Sequence, residues 1–294
     1  GFLTRSDPKA NAAFMVTAHE SAHQWWGNLL TPGKGPGGNL LSEGMSHFST
    51  ILLTEQVHGL RDRIELCKRF EDRYANERQV NSERPLVKID GSRAGDTVVT
   101  YEKAGWVFWM LLQQMGRDPA LAGLHAFIEQ YRNGPDYPLL QDLLATLRPF
   151  APNVEAFDGF AQQWFHDLVL PEFILTEARR RRVVESPQIS SGQVVGDISS
   201  SNAAPDESQW LVSVRVANHG TGRMPVEIAA TRGERFQTDG KLSEDYHEAR
   251  HRVTLGSAES TTIEITCDFE PEQVLVDPDA LVLQLRRKSA VVRL

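Results

Sequence analysis

Apolar residues recur at helical spacing through roughly the first 168 positions of the chain, and from about residue 172 they change to short alternating runs. Phe14 to Leu29 reads as one helix, entered from Asp7 and Pro8, with Phe14, Ala18, Ala22, Trp25, Trp26 and Leu29 as its apolar positions. That composition predicts a buried helix. Four glycines and a proline in Gly33 to Gly38 predict a loop, because such a segment cannot hold a helix. Ser42 is placed to cap the next helix, whose inner face is Met45, Phe48, Ile51 and Leu52. Arg61 to Gln79 carries Ile64, Cys67, Phe70 and Tyr74 at steps of three and four, which makes Cys67 a small buried hydrophobe rather than a reactive thiol. Tyr101 to Met115 is a strongly apolar helix, followed by helices over Pro119 to Tyr131, Leu139 to Leu147 and Val154 to Phe165.

Beyond Glu172 the runs Trp210 to Val216, Val226 to Ala230, Thr261 to Ile265 and Leu281 to Leu285 are rich in β-branched residues and separated by turns. Some seven strands fit a small β-sandwich. The expected architecture is therefore α+β and multidomain: an α-helical region over residues 1–170, then an all-β sandwich over residues 171–294. Arg179 to Arg182 reads as an edge strand blunted by charge. The Ser-, Gly- and Asn-rich stretch from Glu185 to Glu207 reads as a loop.

Composition narrows the function. A length of 294 residues accommodates two domains, each large enough to bury a core. The net charge of -8 divides evenly, with 16 basic and 20 acidic residues up to Leu170 and 15 and 19 after it. This balance argues against a phosphate backbone as the main partner, since such binding needs a basic face, so nucleic acid is not expected. The longest apolar run, Ala104 to Leu112, is about half the length needed to span a bilayer, so no membrane-spanning segment is expected in this chain. Cys67 and Cys267 are too few for a disulfide framework.

The chemistry lies in Thr17-Ala18-His19-Glu20-Ser21-Ala22-His23. Residues four apart on a helix sit about 6 Å apart along the axis and within about 40° around it, so both imidazoles can reach one ion. Zinc suits neutral imidazole and lowers the pKa of a bound water to about 7. Glu20, beside that ion without binding it, can take the water's proton. The continuation that would supply a third histidine fails, because Trp26 and Leu29 stand where glycine and histidine would be. Two other candidates for the third ligand follow in the next helix: Glu43 in Leu41-Ser42-Glu43-Gly44, and His47 one turn later on the same face. His47 otherwise reads as a residue supporting the ligands or lining a pocket. Trp25 and Trp26 read as packing that holds the ligands rigid, while His219, His247 and His251 lie scattered among polar residues.

Ala18 to Asn28 (AHESAHQWWGN), the Leu-Ser-Glu-Gly that follows, and Tyr101-Glu102-Lys103-Ala104-Gly105 together resemble the zinc aminopeptidases of the gluzincin clan, the family that includes aminopeptidase N and leukotriene A hydrolase. The similarity runs from about Phe14 to about Phe173. It implies an α-helical gluzincin catalytic half-domain in front of the sandwich, with one Zn2+ per chain held by His19, His23 and Glu43. It also implies Glu20 as general base, Tyr101 as oxyanion donor, and a peptide substrate cut at its N-terminal residue. Two departures stand out. Gln24 to Ser42 is 19 residues, one more than the family's usual interval, with the glycine-rich loop as the place for the insertion. The longer interval resembles a bacterial branch attached to membrane permeases, which implies a possible membrane region upstream. The family's Gly-x-Met-Glu-Asn segment, which binds the substrate amino group, is not found in the chain, and only 18 residues precede His19. The chain is thus expected to be the C-terminal part of a larger enzyme. Two other readings stay open, a zinc endopeptidase and a noncatalytic scaffold that retains the metal site.

Overall fold

The computed structural model of the chain describes residues 12–134, 136–183 and 209–294. The expected entry at Asp7 and Pro8 and the expected loop from Glu185 to Glu207 lie outside the described residues. Helices come first: α1 (Ala12–Ala22), α2 (Met45–His58), α3 (Leu60–Glu77), a single turn α4 (Asp96–Val98), α5 (Ala104–Met115), α6 (Arg117–Tyr131), α7 (Leu140–Leu147) and α8 (Val154–Ala161). Strands follow: β1 (Phe173–Val183), β2 (Gln209–Asn218), β3 (Met224–Arg232), β4 (His247–Leu255), β5 (Ser260–Cys267), β6 (Gln273–Val276) and β7 (Val291–Arg293). The class is α+β.

α5 is the axis of the helical region. Ten of its twelve residues are buried, because α2, α6, α8 and neighbouring segments pack around it. Its uniformly apolar sequence reflects that position. The strands form two antiparallel sheets, ordered β1-β2-β5 and β4-β3-β6-β7. Val212, Val214 and Val216 face Ile228, Ala230, Val274 and Val276 in a core that is continuous with the helical one. β1 lies at a sheet edge, where Arg180 pairs with Glu270 at 3.1 Å and lies over the Trp210 ring. Cys67 is fully buried, and burial pushes its thiol up to about 12, so it serves packing rather than redox chemistry.

Four expectations are corrected. The first helix ends at Ala22 rather than Leu29: Gly27 adopts φ +124°, and the amides of Asn28, Leu29 and Leu30 reach five residues back instead of four. Nor is α1 buried. Only Ala18 and Ala22 are covered, since α1 packs on α2 from one side and turns its other side to an open cleft. Ser42 is not a cap, because it sits inside a π-helical turn, Leu40–Gly44, that runs straight into α2. Leu281 to Leu285 is not a strand. Its backbone amides go to side chains and loops instead of a ladder: Leu281 and Val282 donate to the Asp277 carboxylate, Gln284 to Glu71 on α3, and Leu285 to the carbonyl of Pro171.

That segment joins the helical and strand regions. Glu71 accepts from Arg287 Nε at 2.8 Å and Nη2 at 2.9 Å, and Arg287 Nη1 reaches Asp277 at 3.0 Å. Burial disfavours the guanidinium charge, yet Asp277 and Glu71 together hold Arg287 protonated beyond its ordinary range. Arg63 on α3 donates to the Asp279 carbonyl and lies over Trp109.

Candidate active site

Two helix starts are widened in the same way, and both carry residues of interest. Glu43 lies in the π-turn Leu40–Gly44 at the head of α2, and Tyr101 in the π-turn Val99–Lys103 at the head of α5. The two turns meet where Gly44 and Gly105 allow the backbones to touch. A Cβ on Gly44 would lie 2.9 Å from Ala104 Cβ, and one on Gly105 would lie 2.6 Å from His47 Cβ. π-turns of this kind are frequent at functional sites, because the extra residue re-aims a side chain without ending the helix.

Around this contact the chain brings together His19, His23 and Glu43. Glu43 Oε2 is 3.2 Å from His19 Nε2 and 3.3 Å from His23 Nε2, and the two nitrogens are 3.1 Å apart. Among the described residues this is the group of three donors close enough to hold one metal ion. A tetrahedral zinc with bonds of about 2.0 to 2.2 Å separates its donors by roughly 3.3 to 3.5 Å, so the trio fits that ion. Two imidazole lone pairs converging on a carboxylate oxygen is also the arrangement a cation stabilises. His23 Nδ1 donates to the carbonyl of Trp26 at 2.9 Å, which leaves Nε2 as the free lone pair. The hydroxyl of Ser46 stands 3.2 Å from the same Nδ1. The turn at Gly27 thus has a local purpose: it swings the Trp26 carbonyl back onto His23.

Glu20 and Tyr101 line the same cleft, of about 920 Å³, with Met15, Val16, Phe70 and Arg73. Burial would raise the Glu43 carboxyl, but the neighbouring His19 and His23 imidazoles and the Tyr101 hydroxyl hold it below the ordinary carboxylate range. Burial, with the nearby Glu43 charge, pushes the Tyr101 phenol up to about 12. Tyr101 therefore stays a neutral hydrogen-bond donor throughout the neutral pH range.

His47, the alternative third ligand, stands behind the site. Its Nδ1 lies 3.0 Å from His19 Nδ1, on the edge of that ring turned away from Glu43. Burial holds His47 well below its ordinary range, so the ring is neutral. Trp26 is buried, with its Nε1 donating to Ser49 at 3.0 Å, whereas Trp25 is half exposed and does not share its packing role. Phe70 and Glu102 stood in the sequence without a role at the site, and Arg73 had no sequence signal of its own. Phe70 lies against His47 with ring centroids 4.7 Å apart, and Arg73 Nη1 donates to Glu102 at 2.6 Å. Helical spacing could have found Arg73, which is three residues beyond Phe70 on α3.

No helix among the described residues is long and apolar enough to cross a membrane. A curated relative, the putative aminopeptidase-2 of Caenorhabditis elegans, is 25% identical over 230 residues, which is 73% of this chain and 12% of that protein's length. The chain thus spans only a small part of this relative. Two solved structures of an M1 zinc metallopeptidase from Deinococcus radiodurans also align. One, bound to a Tyr-Ser-Ala substrate, is 21% identical with a TM-score of 0.41. The other is 20% identical with a TM-score of 0.43, and both alignments cover 51% of this chain and 32% of theirs. The domain profile of peptidase family M1 matches residues 3–164, which is more than half of the chain and includes every residue of the site, and on that match the chain belongs to peptidase family M1.

Proposed function

We propose that this chain carries the zinc-binding and proton-transfer face of a peptidase that removes N-terminal residues from peptides in the full-length protein. The observation that carries the reading is the convergence of His19, His23 and Glu43, with mutual separations of 3.1 to 3.3 Å, in a cleft that also contains Glu20 and Tyr101. One Zn2+ held by those three side chains would polarise the scissile carbonyl and acidify a water. Glu20 is exposed to the cleft and takes the water's proton, then returns it to the leaving amine. Tyr101, neutral at working pH, donates to the oxygen on which negative charge develops. The chemistry is assigned to residues 1–170, with residues 171–294 bracing α3 through Glu71 and Arg287.

Elemental analysis and turnover test the assignment together. Glu20→Gln should keep one zinc per chain while turnover falls about 100- to 10,000-fold, and His23→Ala should lose the metal. Retained turnover in the first variant removes Glu20 from the mechanism, and tight zinc in the second removes His23 from the ligands. A free peptide should be cleaved and its N-acetylated form refused by the full-length protein. Equal cleavage of both would overturn the N-terminal specificity.

A further inference from the structure

We infer that His47 is a positioning residue for the metal centre: it sets the tautomer and ring orientation of His19 through the nitrogen that faces away from the ion. The inference rests on reading His19 as a zinc ligand. A neutral imidazole that gives its Nε2 lone pair to a cation carries its proton on Nδ1. In His19 it is Nε2 that faces Glu43 and His23, so the proton belongs on Nδ1. That nitrogen lies 3.0 Å from His47 Nδ1, and two ring nitrogens at such a separation share one proton, one as donor and the other as acceptor. His47 must then accept at Nδ1 and hold its own proton on Nε2.

The surroundings of His47 match that assignment. Its Nε2 is buried, makes no hydrogen bond among the described residues, and lies 3.9 Å from Glu102 Oε1. Glu102 is in turn held by Arg73 Nη1 at 2.6 Å, and its other oxygen, Oε2, makes no hydrogen bond among the described residues. The ring is wedged between Phe70, at a 31° tilt with centroids 4.7 Å apart, and Tyr101, edge-on at 5.2 Å. Rotation that would swap its two nitrogens is blocked. The order Arg73, Glu102, His47, His19 therefore forms one polar line across α3, the head of α5, α2 and α1. The two histidine ligands are oriented by different means. His23 uses the backbone carbonyl of Trp26, which no substitution removes, whereas His19 depends on a side chain.

Zinc affinity of the 294-residue chain, measured by chelator competition, tests this together with the ring tautomers read by long-range nitrogen–proton NMR in the zinc-loaded protein. His47→Leu keeps the bulk and removes the acceptor, so affinity should fall about 10- to 100-fold, the usual cost of losing such a support. In His47→Asn the amide oxygen can accept the His19 N–H, so affinity should stay within about threefold of the parent. The unsubstituted protein should show the His47 proton on Nε2. Parent-like affinity in His47→Leu, or a His47 proton on Nδ1, would overturn the inference. If His47→Leu does not fold by circular dichroism, the asparagine variant and the parent's tautomer still decide. His19→Ala separates the two readings: tight zinc there sinks the ligand assignment, while lost zinc there with parent-like affinity in His47→Leu sinks the positioning role alone.

Discussion

At Glu102 burial and charge pull in opposite directions. Burial raises the carboxyl and Arg73 lowers it, and burial prevails, leaving the group at about 7. A group with a raised folded pKa binds its proton more tightly in the folded chain. Its contribution to stability is then complete below the unfolded value of 4.5 and is lost as pH rises through about 7. The integrated change is on the order of 3 kcal/mol. Glu102→Gln should therefore gain on the parent by that order between about pH 4.5 and 8 in denaturant unfolding. A constant difference across the range would refute the argument. Such residue-level couplings were the least legible part of the sequence. His19, Glu20 and His23 stood out because helical geometry relates them locally. Arg73 and Glu102 come from separate elements, and only their meeting with His47 gives them a role.

At the scale of elements, most helices lay where the apolar spacing placed them, and the misplaced boundaries cluster around the site. Ser42 has the chemistry of a cap, yet the helix start it belongs to is widened by one residue, and no local preference encodes that. Gly27 ended α1 early for a similar reason, since the turn serves a contact with His23 that lies outside the pattern of apolar positions. The paired turns of Glu43 and Tyr101 depend on a close backbone approach. Gly105→Ala would place a methyl 2.6 Å from His47 Cβ, where a rigid backbone on each side gives little room to move. The variant should lose about 1 to 3 kcal/mol of stability in denaturant titration, and its zinc affinity should fall with it. Parent-like values of both would show that the two turns can part without harm.

At the scale of the molecule, the switch from helical to alternating spacing correctly announced helices followed by two sheets. Leu281 to Leu285 was misread because its β-branched and apolar residues are buried against both regions rather than in a ladder, and burial alone produces the same composition. Glu71, Arg287 and Asp277 fasten this segment. Arg287→Met leaves two buried carboxylates without a counter-charge and should cost about 3 to 5 kcal/mol, visible as a lower denaturation midpoint. An unchanged midpoint would mean that the network is energetically idle.

The same fastening joins residues that stand far apart in the chain: the Gln284 amide and the Glu71 carboxylate are separated by 213 positions, and Arg287 and Glu71 by 216. Closing so long a loop is entropically unfavourable early in folding, which favours forming these contacts late. Interactions made late leave the speed of assembly unchanged and govern how long the assembled state survives. Glu71 and Arg287 then act as a timer on the native lifetime, and resistance to proteases is the property that their removal would shorten first.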